Sequence, residues 1–147
     1  MKFMKLSSIL MVIFLAGCSG SKELSCSDKN ITDTVMSITV AELREQLFKI
    51  YLASELGGLP RIAANMSYDE YRSMESNDVQ RRVVSLTEAT VSAFSLANIR
   101  LNSVNDRTGQ VSCAASLRGR NNESMNIQYT AQRTEDGEVY VEVFGLR

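Results

Sequence analysis

The longest run of regularly spaced apolar residues lies between residues 31 and 56. Its apolar positions recur at intervals of three and four, which predicts one amphipathic helix with a single stripe facing a core. Asn30 or Thr32 is expected to cap its start, and Thr39 with Glu42 forms a second capping box that would divide it. Gly57 and Gly58 predict its end. The stripe consists of Met36, Val40, Leu43, Leu47, Ile50 and Tyr51.

The segment after this helix has weaker patterning. Residues 57–66 are expected to form a connection without regular structure. Ser67 and Glu70 have the spacing of a capping box, which predicts a short helix ending near Met74. A break at residues 76–78 precedes a further short helical pattern.

From about residue 91 the period of the pattern changes to two. Four alternating segments separated by turns at 106–109, 119–122 and 135–137 predict four strands. Because the connections are short, we expect an antiparallel meander. The side chains expected to line its apolar face are those of Val111, Cys113, Leu117, Ile127, Tyr129, Val139, Val141 and Val143.

These elements predict an α+β fold. The apolar face of the four-stranded sheet needs a cover, and the striped helix of residues 31–56 offers a matching face. We therefore expect the N-terminal helix, together with the short helices, to pack on one face of the sheet.

The N-terminus has the pattern of a secretion signal. Lys2 and Lys5 are followed by the apolar run 6–15 and by the small residues Ala16 and Gly17. The apolar run is short for a bilayer span, which needs ~20 residues. A buried N-terminal helix is the alternative interpretation.

Leu15-Ala16-Gly17-Cys18 resembles the lipobox of bacterial lipoproteins. The resemblance implies cleavage before Cys18, a diacylglycerol on its sulfur and, through several acyl chains, a lasting membrane anchor. Ser19, in place of Asp, implies sorting to the outer membrane, where the protein would face the periplasm. The expected organisation is a signal peptide at 1–17, a lipidated tether at 18–25 and one domain at 26–147.

Composition excludes several classes of function. The 147-residue chain contains no histidine, which removes mechanisms that use imidazole as base, acid or ligand. Its net charge is -1, and loss of residues 1–17 leaves 14 basic against 17 acidic residues, a net charge of -3. Nucleic acid is therefore not expected as a partner.

Two cysteines remain after Cys18 is lipidated, and in an oxidising compartment the simplest pairing is a Cys26–Cys113 disulfide. Two buried thiols or an intermolecular bridge are the alternatives. Two thiols without imidazole do not supply the ligand set of a metal site, so no metal and no cofactor are expected.

Catalytic residues are not expected either. The adjacent acids Asp69-Glu70 and Glu135-Asp136 could in principle serve a glycosidase, but solvated surface acids explain them better. A Ser-Lys dyad would need Lys22, Lys29 or Lys49, which lie near the anchor or on the long helix.

The polar face of the sheet is the candidate binding surface. A mixture of arginine, polar and aromatic side chains is typical of protein-binding surfaces, although a solvated outer face is the alternative. The candidate residues are Arg100, Arg118, Arg120, Gln128, Tyr140 and Phe144.

The leading hypothesis is a non-enzymatic envelope lipoprotein that binds another, unidentified protein. It would act as an accessory factor of a secretion or conjugation assembly, or as an inhibitor or exclusion protein. One alternative is a carrier of a lipid or small apolar ligand, held in a cavity between helix and sheet. A carboxylate-based envelope hydrolase is the other. The methionines that could line such a cavity are Met36, Met66, Met74 and Met125.

Overall fold

The computed structural model describes residues 23–146, and these form an α+β fold, as predicted. Four helices precede a four-stranded sheet. The helices are α1 (Lys29–Leu56), α2 (Arg61–Ala64), α3 (Tyr68–Ser73) and α4 (Asp78–Val91), and the strands are β1 (Ser95–Asn105), β2 (Gln110–Arg118), β3 (Ser124–Arg133) and β4 (Val139–Phe144).

Helix α1 is continuous over 28 residues, so the predicted division at Thr39 is wrong. It begins at Lys29, earlier than expected, and Asp28 occupies the N-cap without capping the helix, because its carboxylate accepts the N–H of Ser25 instead. The helix ends at Gly57 as predicted, in the left-handed conformation at φ 70° that glycine adopts readily.

The predicted stripe of α1 is partly right, because Leu43 is buried and the other members except Ile50 are partly buried against the two cores. Ile50 is 60% exposed, whereas Thr39, outside the stripe, is fully buried. The reason is that α1 serves two cores: its N-terminal half packs against the sheet and its C-terminal half against the other helices. The buried positions of the helix are Ile31, Val35, Thr39, Leu43, Phe48 and Leu52.

The capping box of α3 is present as predicted: Ser67 accepts the N–H of Glu70, and the Glu70 carboxylate accepts the N–H of Ser67. The connection 57–66 contains one unpredicted helical turn, α2. Helix α4 is longer than expected and ends at Val91, so the first strand starts at residue 95 rather than 91.

The sheet is an antiparallel meander in the order β1-β2-β3-β4, as predicted. Its inner face packs under α1, and the predicted apolar residues lie there. Val139 and Val143 of β4 are only partly buried at this face. The fully or nearly buried members are Val111, Cys113, Ala115, Leu117, Ile127, Tyr129, Ala131 and Val141.

Strand β1 departs from simple alternation. Its register to β2 shifts between Ala97 and Arg100 and again between Leu101 and Ser103. Asn98, inside the first bulge, has a positive φ of 52°. An extra residue in a bulge reverses which side chains face the core, so Leu96 and Ile99 both pack inward.

Cys26 and Cys113 form a disulfide with a Cα–Cα separation of 5.8 Å, which confirms the predicted pairing. Both cysteines are buried in the core between α1 and the sheet. The Tyr129 hydroxyl donates a 2.7 Å hydrogen bond to the carbonyl of Cys26. The segment before α1 is therefore fixed to the two central strands, β2 and β3.

Candidate functional site

One row of side chains crosses all four strands on the outer face of the sheet. Arg100 of β1 lies opposite Ala114 of β2, Ala114 opposite Gln128 of β3, and Gln128 opposite Phe144 of β4. Because Ala114 is small, a shallow depression of about 290 Å³ forms between the Arg100 and Phe144 side chains. The first bulge of β1 is what brings Arg100 to this face.

The other predicted face residues lie around this row, with one exception. Tyr140 is opposite Gln132 at one end of the face, and Arg118 is opposite Ser124 at the other. The prediction that Arg120 lies on this face is wrong, because Arg120 is part of the exposed 3₁₀ turn 120–122 between β2 and β3. The chain leaves the sheet at Gly119, beside the ring of Phe94.

Two aromatic rings are exposed on this otherwise polar face. Phe144 is 50% exposed and Tyr140 is 51% exposed. The Tyr140 hydroxyl donates to the Glu142 carboxylate at 3.0 Å, and this hydrogen bond raises the pKa of the phenol. Aromatic groups set among arginine and amide side chains can supply the anchors of a protein interface.

An apolar cleft of about 600 Å³ lies among the helices and was not predicted from the sequence. The carrier hypothesis placed a cavity between helix and sheet, whereas this cleft opens between the C-terminal end of α1, α2, α3 and the start of α4. Met66 and Met74 line it, but Met36 and Met125 pack against the sheet core. Its other apolar walls are Leu52, Leu56, Pro60, Ile62, Ala63, Tyr71 and Val79.

A partly buried polar cluster joins α1 to α3 and α4. Arg44 donates two hydrogen bonds to the Glu88 carboxylate, at 2.8 and 3.2 Å, and these hold the pKa of Glu88 below its usual range. The Tyr68 hydroxyl is buried near this pair without an aligned hydrogen bond, and burial, followed by the carboxylate, raises its pKa to about 12. The cluster connects helices and does not open into the cleft.

Lys22, one of the residues considered for catalysis, lies outside the described residues, and the described ones have structural partners or lie in solvent. Glu70 is used in the α3 capping box, which lowers its pKa, and Glu135 and Asp136 are exposed in the β3–β4 turn. Lys29 pairs with Asp33 one turn along α1. Lys49 donates to the carbonyl of Ala64 at 3.1 Å.

Residues 23–146 contain no group of three or more acidic or cysteine side chains placed to hold a metal ion. Within the same span, none of the helices combines the length and hydropathy needed to cross a membrane. Cys18 and the rest of the predicted signal and lipobox lie outside the described residues.

Comparison of this chain with protein-family models, curated proteins and solved structures finds no match.

Proposed function

We propose that this chain is a small lipid-anchored envelope protein without catalytic activity, and that it binds another protein through the outer face of its sheet. The observation that carries the proposal is the row Arg100–Gln128–Phe144, with its depression over Ala114 and the exposed Phe144 ring. A guanidinium and an aromatic ring flanking a small residue provide a charged wall and an apolar wall for one inserted side chain.

Export of the chain is supported by two independent features. The Cys26–Cys113 disulfide belongs to an oxidising compartment. The lipobox at Leu15–Cys18 provides an attachment point, and Ser19 after the cysteine favours the outer membrane, with the domain facing the periplasm.

The two roles that fit are an accessory factor of an envelope assembly and an inhibitor or exclusion protein, since both require only a displayed protein-binding face.

Palmitate labelling of the full chain and of Cys18→Ser tests the anchor. We expect label on the wild type only, and we expect Cys18→Ser to be recovered as uncleaved or soluble protein after membrane fractionation. Equal labelling of the two chains would refute the lipid anchor.

Site-specific photo-crosslinking in the cell envelope tests the binding face. A photoreactive residue at Gln128 reports on the centre of the row, and the same residue at Arg107, exposed in the β1–β2 turn, is the matched control. We expect one discrete protein adduct at Gln128 that is absent at Arg107 and is lost when Arg100 and Phe144 are both replaced by alanine. The same adducts at both positions would contradict the proposal.

The apolar cleft supports a second candidate function, the binding of an acyl chain or another small apolar ligand. Three large apolar side chains that line it are exposed together, Ile62 at 77%, Met74 at 51% and Leu56 at 50%, and such a group marks a ligand-binding or interaction site. A fluorescent fatty acid should bind the purified chain saturably, and Ala63→Trp, which fills the cleft, should abolish binding. Unchanged binding by Ala63→Trp would assign the probe to another surface.

A further inference from the structure

Strand β4 forms one edge of the sheet, and the β3–β4 turn shows which of its backbone groups are free. The N–H of Thr134 donates to the carbonyl of Glu138 at 2.9 Å, so these residues form a hydrogen-bonded pair. Hydrogen-bonded and non-hydrogen-bonded pairs alternate along an antiparallel ladder. The pairs of Tyr140 and Glu142 with β3 are therefore hydrogen-bonded, and the N–H and C=O groups of Val139, Val141 and Val143 point away from the sheet.

The two edges of the sheet differ in how they are protected. Strand β1 is interrupted by two register shifts, and bulges are a common means of preventing a sheet edge from pairing with another strand. Strand β4 pairs with β3 without a register shift, and its sequence Val-Tyr-Val-Glu-Val-Phe contains no proline, lysine or arginine. It is a regular strand of high β propensity with a single charged side chain.

We propose that β4 pairs antiparallel with β4 of a second copy of this chain, which joins the two sheets into one. The free groups of Val139, Val141 and Val143 are then satisfied by those of the other copy. Val141 faces its own counterpart on the two-fold axis, and Val139 faces Val143. Tyr140 then lies opposite Glu142 of the other copy, so each phenol can exchange its hydrogen bond to Glu142 of its own chain for one to the facing carboxylate.

Neighbouring registers fit less well. Shifting the pairing by two residues in one direction places Glu142 opposite Glu142, and like charges directly opposite each other destabilise a strand pair. The shift in the opposite direction pairs only Val139, Tyr140 and Val141 with the same three residues of the other copy. The last three residues of β4 then lie opposite the β3–β4 turn of that copy. The strand is thus complementary to itself in one register, and this complementarity favours a second copy over a foreign strand.

Helix α1 leaves room for this pairing. It runs alongside β4 in the same direction: Asn30 and Ile31 lie near Val139, and Gln46 donates to the Leu146 carbonyl at 2.7 Å. A groove of about 460 Å³ separates the helix from the strand and is bordered by Ile38, which is 36% exposed.

The exposed side chains of α1 one turn from Ile38 are Thr34 and Ala41, which are small, and Glu42, which lines the same groove and accepts a hydrogen bond from Gln46 at 2.9 Å. The second copy places its own α1 antiparallel to this one across the two-fold axis. Small side chains permit the close approach of the two helices, and the approach covers Ile38. The inference rests on the proposed function in one respect, because two copies held on one membrane meet at a high local concentration.

Disulfide trapping in native membranes tests the register. Full-length chains carrying Tyr140→Cys and Glu142→Cys, with different tags, are expressed together and oxidised with copper phenanthroline. The proposed register places these two positions in a non-hydrogen-bonded pair with Cα atoms about 4.5 Å apart, within reach of a disulfide. We expect crosslinked dimers that contain both tags. When either variant is expressed alone, the two cysteines of a dimer are diagonal rather than direct neighbours, so we expect at least fivefold less crosslinked dimer.

Arg107→Cys, in an exposed turn, is the matched control and should give only background dimer. Dimer yields that are equal in all combinations, or no mixed dimer, would overturn the proposal. Adducts of Tyr140→Cys with a different protein, in the absence of mixed dimer, would likewise overturn it in favour of a foreign strand. Palmitate labelling in the same membranes tests the anchor separately: mixed dimers of an unlabelled chain would refute the anchor alone, and labelled chains without dimers would refute the pairing alone.

Charge substitution provides a second measurement. Tyr140→Glu places one carboxylate opposite each Glu142, which makes two like-charged pairs per dimer. It should raise the dimer dissociation constant at least tenfold, measured by sedimentation equilibrium of the detergent-solubilised full chain. Adding Glu142→Lys should restore association, because each lysine then faces a carboxylate. Far-UV circular dichroism confirms that both variants fold. Unchanged association of a folded Tyr140→Glu chain would overturn the pairing.

Discussion

Replacing both cysteines of the disulfide, as Cys26→Ala with Cys113→Ala, should destabilise the fold more than any other change proposed for this chain. The bond joins residues separated by 87 positions. Closing a loop of that length in the unfolded chain corresponds to about 4–5 kcal/mol, an upper value because residual structure in the unfolded state reduces it. At ~3–5 °C per kcal/mol for a domain of this size, this upper value corresponds to a fall in melting temperature of about 12–25 °C.

Thermal and urea unfolding of four chains measure this effect: the wild type, the two single variants and the double variant. Each single variant already loses the crosslink, and the cysteine that remains is buried and packs as a small apolar side chain. The single variants should therefore lose nearly equal stability, and the double variant should lose little more than either. Wild type reduced in denaturant and refolded with reductant is the control, and it should match the single variants to within ~1 kcal/mol.

Two results would refute this reasoning. If the double variant loses as much stability as the two single variants together, the two cysteines contribute independently and do not form one bond. Full stability of the reduced wild type would mean that the unfolded chain already holds the two segments together, so that the crosslink removes no further freedom from it.

Three further predictions concern single side chains. Ser67→Ala removes the N-cap of α3 and should lower stability by ~1 kcal/mol in urea unfolding, with Ser67→Asp close to wild type. Gly119→Ala should lower the melting temperature, because a Cβ there would lie 2.9 Å from the ring of Phe94, and Phe94→Leu should relieve the loss. Glu88, whose pKa is lowered by Arg44, stabilises the fold above the unfolded pKa of a glutamate, ~4.3, and this stability is lost as the pH falls through the folded value. Glu88→Gln should therefore lower stability at pH 7 by at most ~1 kcal/mol, because the pair is partly exposed, and the difference from wild type should disappear once the pH is below the folded pKa of Glu88.

The elements that could be predicted from the sequence are those with strong local signals. Gly57 ends α1 because few other residues adopt its positive φ, and Ser67 with Glu70 fixes the start of α3 by reciprocal hydrogen bonds. The strands of the meander follow from alternation between short turns. The disulfide follows from the count of cysteines, since two remain once Cys18 is assigned to the lipid.

The features that escaped prediction depend on tertiary contacts. Thr87 and Val91 have the β-branched side chains of a strand, yet they complete α4 because their face packs into the fold and the Thr87 hydroxyl bonds to the Val83 carbonyl at 2.8 Å. The bulge at Asn98 depends on the pairing of β1 with β2. The cleft forms only where four helical segments meet, and single apolar residues such as Ile62 give no periodic signal of it.

Under the proposed export and lipid anchoring, the disulfide also imposes an order on how the chain matures. Because the two cysteines lie 87 positions apart, a chain that crosses a membrane N-terminus first exposes Cys26 long before Cys113 follows. During that interval the nearest thiol to Cys26 is Cys18, eight residues away, unless its sulfur already carries the lipid. Because an acylated sulfur cannot form a disulfide, prompt acylation of Cys18 would keep the Cys26 thiol free until Cys113 is exported. A delay in acylation would divert newly exported chains into a short, non-native ring.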